Sequence, residues 1–269
     1  SCWMATLMVI LGVSSYYLIK DKHLLFAKKC FQFAILLLVI LAPLQVVIGD
    51  FVGLKVNKHQ PLKTAAIEGL WETTKGAPLI LFAIPDQKLQ KNYFEIKINN
   101  LASFINTHNW HGEMIGLNSV DQSMLPNVAL VFFSFRVMVG IGFLMLFLAL
   151  YGVYVSKFSS PEKHKYYLYA LLFASPVGFV AIESGWFTAE AGRQPWVVYN
   201  HLLTANAASD ITANHVLIAF ILIVIVYGII FGYFYFKYLL KIIKDGPCTK
   251  PDTNLPFGYL QQHNTKEGN

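Results

Sequence analysis

The sequence predicts an all-α fold: a polytopic bundle of transmembrane helices, five spans in this chain, with one large extracytoplasmic loop. Three observations predict it. The 269 residues are 55% hydrophobic and 13% charged, with a mean hydropathy of +0.49, whereas an ordinary soluble domain is roughly a quarter charged. Apolar runs of about 20 residues recur, the length a helix needs to cross the hydrocarbon core. Lysines cluster in alternate connections, as they do on the cytoplasmic side of membrane proteins. The net charge of +6 therefore reads as topology, with a lipid bilayer as partner and no nucleic acid, and a water-soluble enzyme is excluded.

The first span is read over about 3–19 and the second over about 31–49. The third covers about 127–155, the fourth about 166–187 and the fifth about 214–236. Lys20, Lys22, Lys28 and Lys29 follow the first span; Lys157, Lys163 and Lys165 separate the third and fourth; Lys237, Lys241 and Lys244 follow the fifth. The positive-inside bias puts these segments in the cytoplasm. Strict alternation of five spans gives the same answer and places 50–126 and 188–212 outside.

Four regions follow: 1–49 with two helices, an extracytoplasmic loop over 50–126, three helices over 127–243, and a cytoplasmic tail over 244–269. In the loop, Leu62–Glu68 is rich in helix formers and Tyr93–Ile98 alternates like a strand. Trp71, Phe82, Phe94, Phe104 and Trp110 argue against disorder, so the loop's length points to function. Ser1-Cys2-Trp3 opens inside an apolar run, and the chain is read as a carboxy-terminal piece of a longer protein. Cys2, Cys30 and Cys248 have neither C-x-x-C nor C-x-x-C-H spacing, so no zinc site or covalent haem is signalled.

Ionisable groups inside an apolar span are disfavoured by roughly 2.5–3.5 kcal/mol on insertion scales unless they face a partner or cavity. Arg136, about three turns into the third span, is read either as a snorkelling side chain or as a permanent cation for an anionic ligand. Met138 points to another face, with Gly142 on its own stripe; it is a packing residue or a thioether ligand for haem iron. Glu183, Trp186 and Glu190 are spaced i, i+3, i+7 and share a face if the helix continues. Glu190 is a metal ligand or proton relay, or it has already reached solvent. Lys63 and Glu68 lie beside Gln60-Pro61 and Trp71-Glu72. They form a solvated amphipathic helix or a pair that hydrogen-bonds a quinol, the carboxylate taking its proton. His108-x-x-His111 reads as a solvated loop pair, and no two histidines face each other across the spans.

Three motifs, taken together, resemble subunit I of cytochrome bd-type quinol oxidases. Gly49-Asp50 followed by Gln60-Pro61-x-Lys63-x-Ala65-Ala66-x-Glu68-Gly69-x-Trp71-Glu72-Thr73 is similar to the start of the family's quinol loop. Ser134-Phe135-Arg136-x-Met138-x-Gly140 is similar to its haem-ligand helix, and Glu183-x-Gly185-Trp186-x-x-Ala189-Glu190-x-Gly192-Arg193-Gln194-Pro195-Trp196 to its other signature. They occur in the family's order and cover essentially the whole chain, which corresponds to the carboxy-terminal part of the family's subunit.

The resemblance implies a terminal respiratory oxidase in the bacterial cytoplasmic membrane. Quinol, ubiquinol or menaquinol, is oxidised at the outer face by way of Lys63 and Glu68. Electrons pass through a low-spin b haem to a high-spin b haem and haem d, or a b haem replacing it, where molecular oxygen becomes water. Met138 would ligate the low-spin b haem and Glu190 the high-spin one. Arg136, Trp186 and Arg193 would line the haem region. A proton gradient forms without pumping, and subunit II is the partner. The family's histidine ligands precede the first residue here, so this piece alone is expected to be inactive. The short stretch from Trp71 to Arg136 resembles the short-loop branch. The rival readings are an ion-transporting module built on Arg136, Glu183 and Glu190, and a scaffold whose charges only fix helix packing.

Overall fold

The computed structural model describes residues 1–207 and 209–247, so the expected tail lies, past 247, outside the described residues, as does Cys248. The chain divides into two units, Ser1–Ser209 and Asp210–Asn269. Five helices among the described residues are long and apolar enough to cross a membrane: Cys2–Ile19, Leu24–His59, Gln122–Phe158, Lys165–Ala191 and Ala213–Asp245. In chain order the first unit runs α1 (Cys2–Ile19), α2 (Leu24–His59), α3 (Pro61–Glu68), β1 (Thr74–Lys75), β2 (Leu79–Asp86), β3 (Lys91–Ile98), α4 (Leu101–Thr107), β4 (Glu113–Met114), α5 (Val128–Phe158), α6 (Lys165–Phe173), α7 (Val177–Ala191), β5 (Trp196–Val198) and β6 (Leu202–Leu203).

Helix α2 runs to His59 instead of ending at 49, because nothing between the two positions breaks it. It stops where Gln60 precedes Pro61, a place where the α conformation is sterically disfavoured. Pro61 then opens α3 at its first turn, where a missing N–H is harmless. The third span begins with a cap: Asn127 Oδ1 accepts from Leu130 N at 3.1 Å. The fourth, read as one helix, is two, α6 and α7, divided at Ala174-Ser175-Pro176 because proline lacks the donor and clashes with the preceding turn.

Between membrane helices, close packing does the work that water exclusion does elsewhere, so small residues mark the crossings. A Cβ on Gly12 of α1 would fall 2.4 Å from Ser175 Cβ, and one on Gly178 of α7 would fall 2.5 Å from Ala5 Cα. The bundle core joins Met8 and Leu11 of α1, Phe31 and Leu38 of α2, Met145 of α5, and Leu168 and Leu171 of α6. Lys28 Nζ meets Glu162 Oε1 at 2.6 Å, tying together two of the lysine-rich connections.

The segment between α2 and α5 is a folded cap with its own core: Ala65, Ala66, Leu70, Trp71, Ala77, Ala102, Met114 and Leu117 pack against Val128 and Val131 of α5. Helix α3 falls where helix formers cluster, and β3 covers the alternating stretch. Strands β2 and β3 pair antiparallel from Leu79↔Ile98 to Asp86↔Lys91, and Asp86 Oδ1 closes their turn by accepting from Lys88 N and Leu89 N at 2.9 and 3.0 Å. β1 pairs with β4 and β5 with β6. The returning chain is tied back by Leu117 N to Leu70 O (3.0 Å) and Asn118 N to Trp71 O (2.9 Å). In the second unit, Ala213–Asp245 widens into π turns over Val224–Phe231 and Tyr235–Leu239.

Candidate functional site

Glu68 is the last residue of α3 and is only 4% exposed. Its position follows from the turn after it. Gly69 is left-handed (φ 66°), and a Cβ there would fall 3.0 Å from two Phe132 ring carbons, so glycine is required both by conformation and by space. Asn92 of β3 holds the same turn: its Nδ2 donates to Gly69 O at 2.9 Å and its Oδ1 accepts from Trp71 Nε1 at 2.9 Å. The carboxylate then faces α4, where Asn106 Nδ2 donates to Glu68 Oε1 at 3.0 Å. Glu68 Oε2 is buried with no hydrogen-bond partner among the described residues. Burial pushes the Glu68 carboxyl above its ordinary value, opposed by the Asn106 hydrogen bond and the Arg136 charge.

Arg136 lies on α5 and is turned toward the cap. Its Nε donates to Ile80 O at 3.1 Å, its Nη1 to Ile67 O at 2.6 Å and to Phe132 O at 3.1 Å, and its Nη2 also to Ile80 O. The guanidinium carbon stands 3.4 Å from the centroid of the Phe132 ring, a stacked cation–π contact. One side chain thus pins α3 and β2 to α5 with a charge beside Glu68.

Lys63 leaves α3 on a different side and reaches α7, where Nζ donates to Ala189 O at 3.0 Å. A cation is favoured there because the last carbonyls of a helix carry partial negative charge. Gly192 makes room: a Cβ on it would fall 2.9 Å from Lys63 Cγ. Burial, then the Arg193 charge, holds the Lys63 ammonium below its usual range, with Glu190 acting the other way. Glu190 itself is ion-paired with Arg193 Nη2. Arg193 Nε and Trp196 Nε1 are buried donors without a protein acceptor among the described residues.

Met138 is half-buried and faces α7: a Cβ on Gly185 would fall 2.9 Å from its sulfur. Ser134 Oγ and Thr188 Oγ1, 2.9 Å apart, join the same two helices. Helix α7 does continue to Ala191, so Glu183, Trp186 and Glu190 share a face. Glu183 and Trp186 are exposed, with Ile182 lining an open cleft of about 340 Å³.

The structure therefore gathers Lys63 with Glu190 and Arg193, and Glu68 with Arg136. Met138 belongs to the α5–α7 contact, whereas Trp186 faces the open cleft beside Glu183. Arg136, read as a cation for an anionic ligand or for an ion path, directs its donors to main-chain carbonyls. His108 caps α4 in a left-handed conformation, so it shares no helix face with His111; its Nε2 meets Asp50 Oδ2 at 3.1 Å instead. Among the described residues no three His, Cys, Asp or Glu side chains converge as a metal cluster. The Met138 thioether is a donor that haem iron accepts, and Glu190 offers a carboxylate that is ion-paired with Arg193. Buried donors at Arg193 and Trp196 stand ready for an anionic group such as a propionate. Asn92 and Asn106 escape sequence reasoning, since asparagines in a loop carry the pattern of turn formers and nothing more.

The family model for cytochrome bd terminal oxidase subunit I matches residues 1–247. Cytochrome bd ubiquinol oxidase subunit 1 of Bacillus subtilis (strain 168) is 32% identical over 270 aligned positions, covering 94% of this chain and 58% of that protein. Cytochrome bd-II ubiquinol oxidase subunit 1 of Escherichia coli (strain K12) is 27% identical, covering 82% and 56%. The bd oxidase structure from Geobacillus thermodenitrificans matches with a TM-score of 0.77 at 26% identity, covering 91% of this chain and 56% of that one. The chain spans a little over half the length of these relatives.

Proposed function

Because the chain belongs to the cytochrome bd terminal oxidase subunit I family, we propose that it works in a membrane quinol:oxygen oxidoreductase, with Lys63 and Glu68 serving the quinol. Oxidising a quinol to a quinone removes two electrons and two protons, so the site needs a proton acceptor that water does not already occupy. Glu68 fits that role: it is buried, burial raises its carboxyl above the ordinary value, and Oε2 has no hydrogen-bond partner among the described residues. That free oxygen is the observation that carries the reading. A carboxylate whose value is raised holds a proton more readily than an ordinary one, which is what a general base needs. Lys63, held at the end of α7, supplies a donor for a quinol oxygen.

Met138 would hold a low-spin b haem and Glu190 a high-spin one. Arg193, Trp196 and Trp186 would line the second, and Arg136, which ties the cap to α5, would steady the region of the first. Bound haems supply the one-electron steps and, at a haem d or a b haem in its place, oxygen reduction. The relatives' names support ubiquinol as substrate, with menaquinol the other candidate, and a second subunit as partner. With loop 50–126 outside the cytoplasmic membrane, protons from Glu68 leave outward and build a gradient without a pump.

The test is Glu68→Gln in the membrane-embedded oxidase. Quinol oxidation falls at least about a hundredfold, the loss expected when a general base contributing ~10²–10⁴ is removed, while the reduced-minus-oxidised b-haem spectrum stays unchanged. An unaltered rate refutes the assignment.

A further inference from the structure

The two oxygens of Glu68 are not equivalent, and one asparagine makes them so. Asn106 is buried, 8% exposed. Its Nδ2 has two hydrogens and both are engaged: one donates to Glu68 Oε1 and the other to Ala102 O, each at 3.0 Å. Turning the amide over would set Oδ1 against two acceptors, so its orientation is fixed by the partners themselves. The main chain is fixed as well, because Asn57 Nδ2 of α2 donates to Asn106 O at 3.0 Å. An amide held from two sides thus presents a single donor to a buried carboxylate and leaves the second oxygen without a hydrogen-bond partner among the described residues.

We propose that Asn106 is a positioning residue for quinol oxidation: it engages Glu68 Oε1 and so reserves Oε2 for the hydroxyl proton of the quinol. The proposal rests on the reading of Glu68 as the quinol base. It adds a residue outside the three sequence motifs, contributed by a part of the cap with no other link to the chemistry. A donor to the ionised form favours that form, so Asn106 also keeps a buried carboxylate able to accept a proton.

The charged groups around Glu68 are few. Arg136 of α5 is the cation beside it. Lys63, on the same helix, is turned to Ala189 O, Glu190 and Arg193. Asp50 of α2 is paired with His108, which follows α4. Removing the Asn106 donor therefore leaves Arg136 alone to oppose burial, and the carboxyl rises further.

The experiment is the pH profile of quinol kcat/KM for Asn106→Asp in the complete membrane-embedded oxidase. Aspartate keeps the shape and replaces the donor with an acceptor. The acid limb moves up by at least one pH unit, a loss of about tenfold on that limb, with haem spectra unchanged. Asn106→Ala removes the donor without adding a charge and moves the limb the same way, which settles the matter if the aspartate variant does not assemble. Asn106→Gln, which keeps the amide, restores the parent limb at least in part. Profiles of Asn106→Asp and Asn106→Ala that superimpose on the parent, alongside a disabled Glu68→Gln, overturn the role of Asn106 alone. A fully active Glu68→Gln overturns the quinol reading and this inference with it.

Discussion

Arg136 donates to the main-chain oxygen of Ile67 at 2.6 Å, one residue before Glu68, so a side chain from a membrane helix sets the height of α3. The same guanidinium holds Ile80 O of β2 and Phe132 O, which makes it a three-way anchor. A lysine has the charge but neither the fork nor the reach to three carbonyls. Arg136→Lys is expected to loosen the cap by about 2 kcal/mol or more, since hydrogen bonds to charged groups contribute roughly 1.5–3 kcal/mol each. Amide exchange over 61–70 and 79–86 in the assembled oxidase should quicken more than tenfold. Exchange at the parent rate would show that the anchor is not needed.

Lys63 reaches Ala189 O from another element and meets the Glu190–Arg193 pair. Lys63→Met keeps the stem that packs on Gly192 and removes the ammonium. The KM for quinol should rise about tenfold, the loss of one charge-assisted hydrogen bond, with kcat changed less than threefold. A fall in kcat at constant KM would move Lys63 from binding to chemistry.

The spans were legible because each is a long apolar run, with lysines gathered in alternate connections between them. The break at Pro176 and the extension of α2 to His59 were written in proline positions but outweighed by hydropathy, which cannot see a helix continue past the apolar stretch. Motif residues announced themselves by cost: Arg136 and Glu190 are expensive in a span, and Glu68 sits in a patterned loop. What those residues touch was not legible. Arg136 carries the same letter whether it meets a propionate or the carbonyl of Ile80, and Asn106 and Asn92 gain meaning only when the cap brings them 38 and 23 residues along the chain to Glu68 and Gly69. Long-range side-chain pairing leaves no periodicity to read.

A Cβ on Gly185 would stand 2.9 Å from the Met138 sulfur, close enough to push it aside. Gly185→Ala should displace the thioether by a few tenths of an ångström or swing it to another rotamer. If Met138 is the low-spin ligand, the low-spin b signal in reduced-minus-oxidised spectra weakens or shifts. Met138→Leu, a volume-conserving change costing under ~1.5 kcal/mol in packing, abolishes it. A normal low-spin band in Met138→Leu removes the ligand assignment.

The stability of the cap should depend on pH in a direction set by Glu68. Its carboxyl is raised above the ordinary 4.5 because burial penalises the charged form more than Asn106 and Arg136 favour it. A carboxyl raised on folding contributes stability that is complete below its unfolded value and is lost as pH rises through its folded one. Glu68→Gln stays neutral, and its side-chain oxygen can still accept from Asn106. It should therefore protect α3 better than the parent at pH 7–8, by about 1.4 kcal/mol for each unit of the shift. The advantage should shrink on acidification and vanish below about pH 4.5, where both side chains are neutral. Amide exchange of residues 61–70 measured from pH 4 to 8 reads this out. A parent that is better protected than Glu68→Gln at pH 8 would mean that the carboxylate is stabilised in place, and that Asn106 and Arg136 together outweigh its burial.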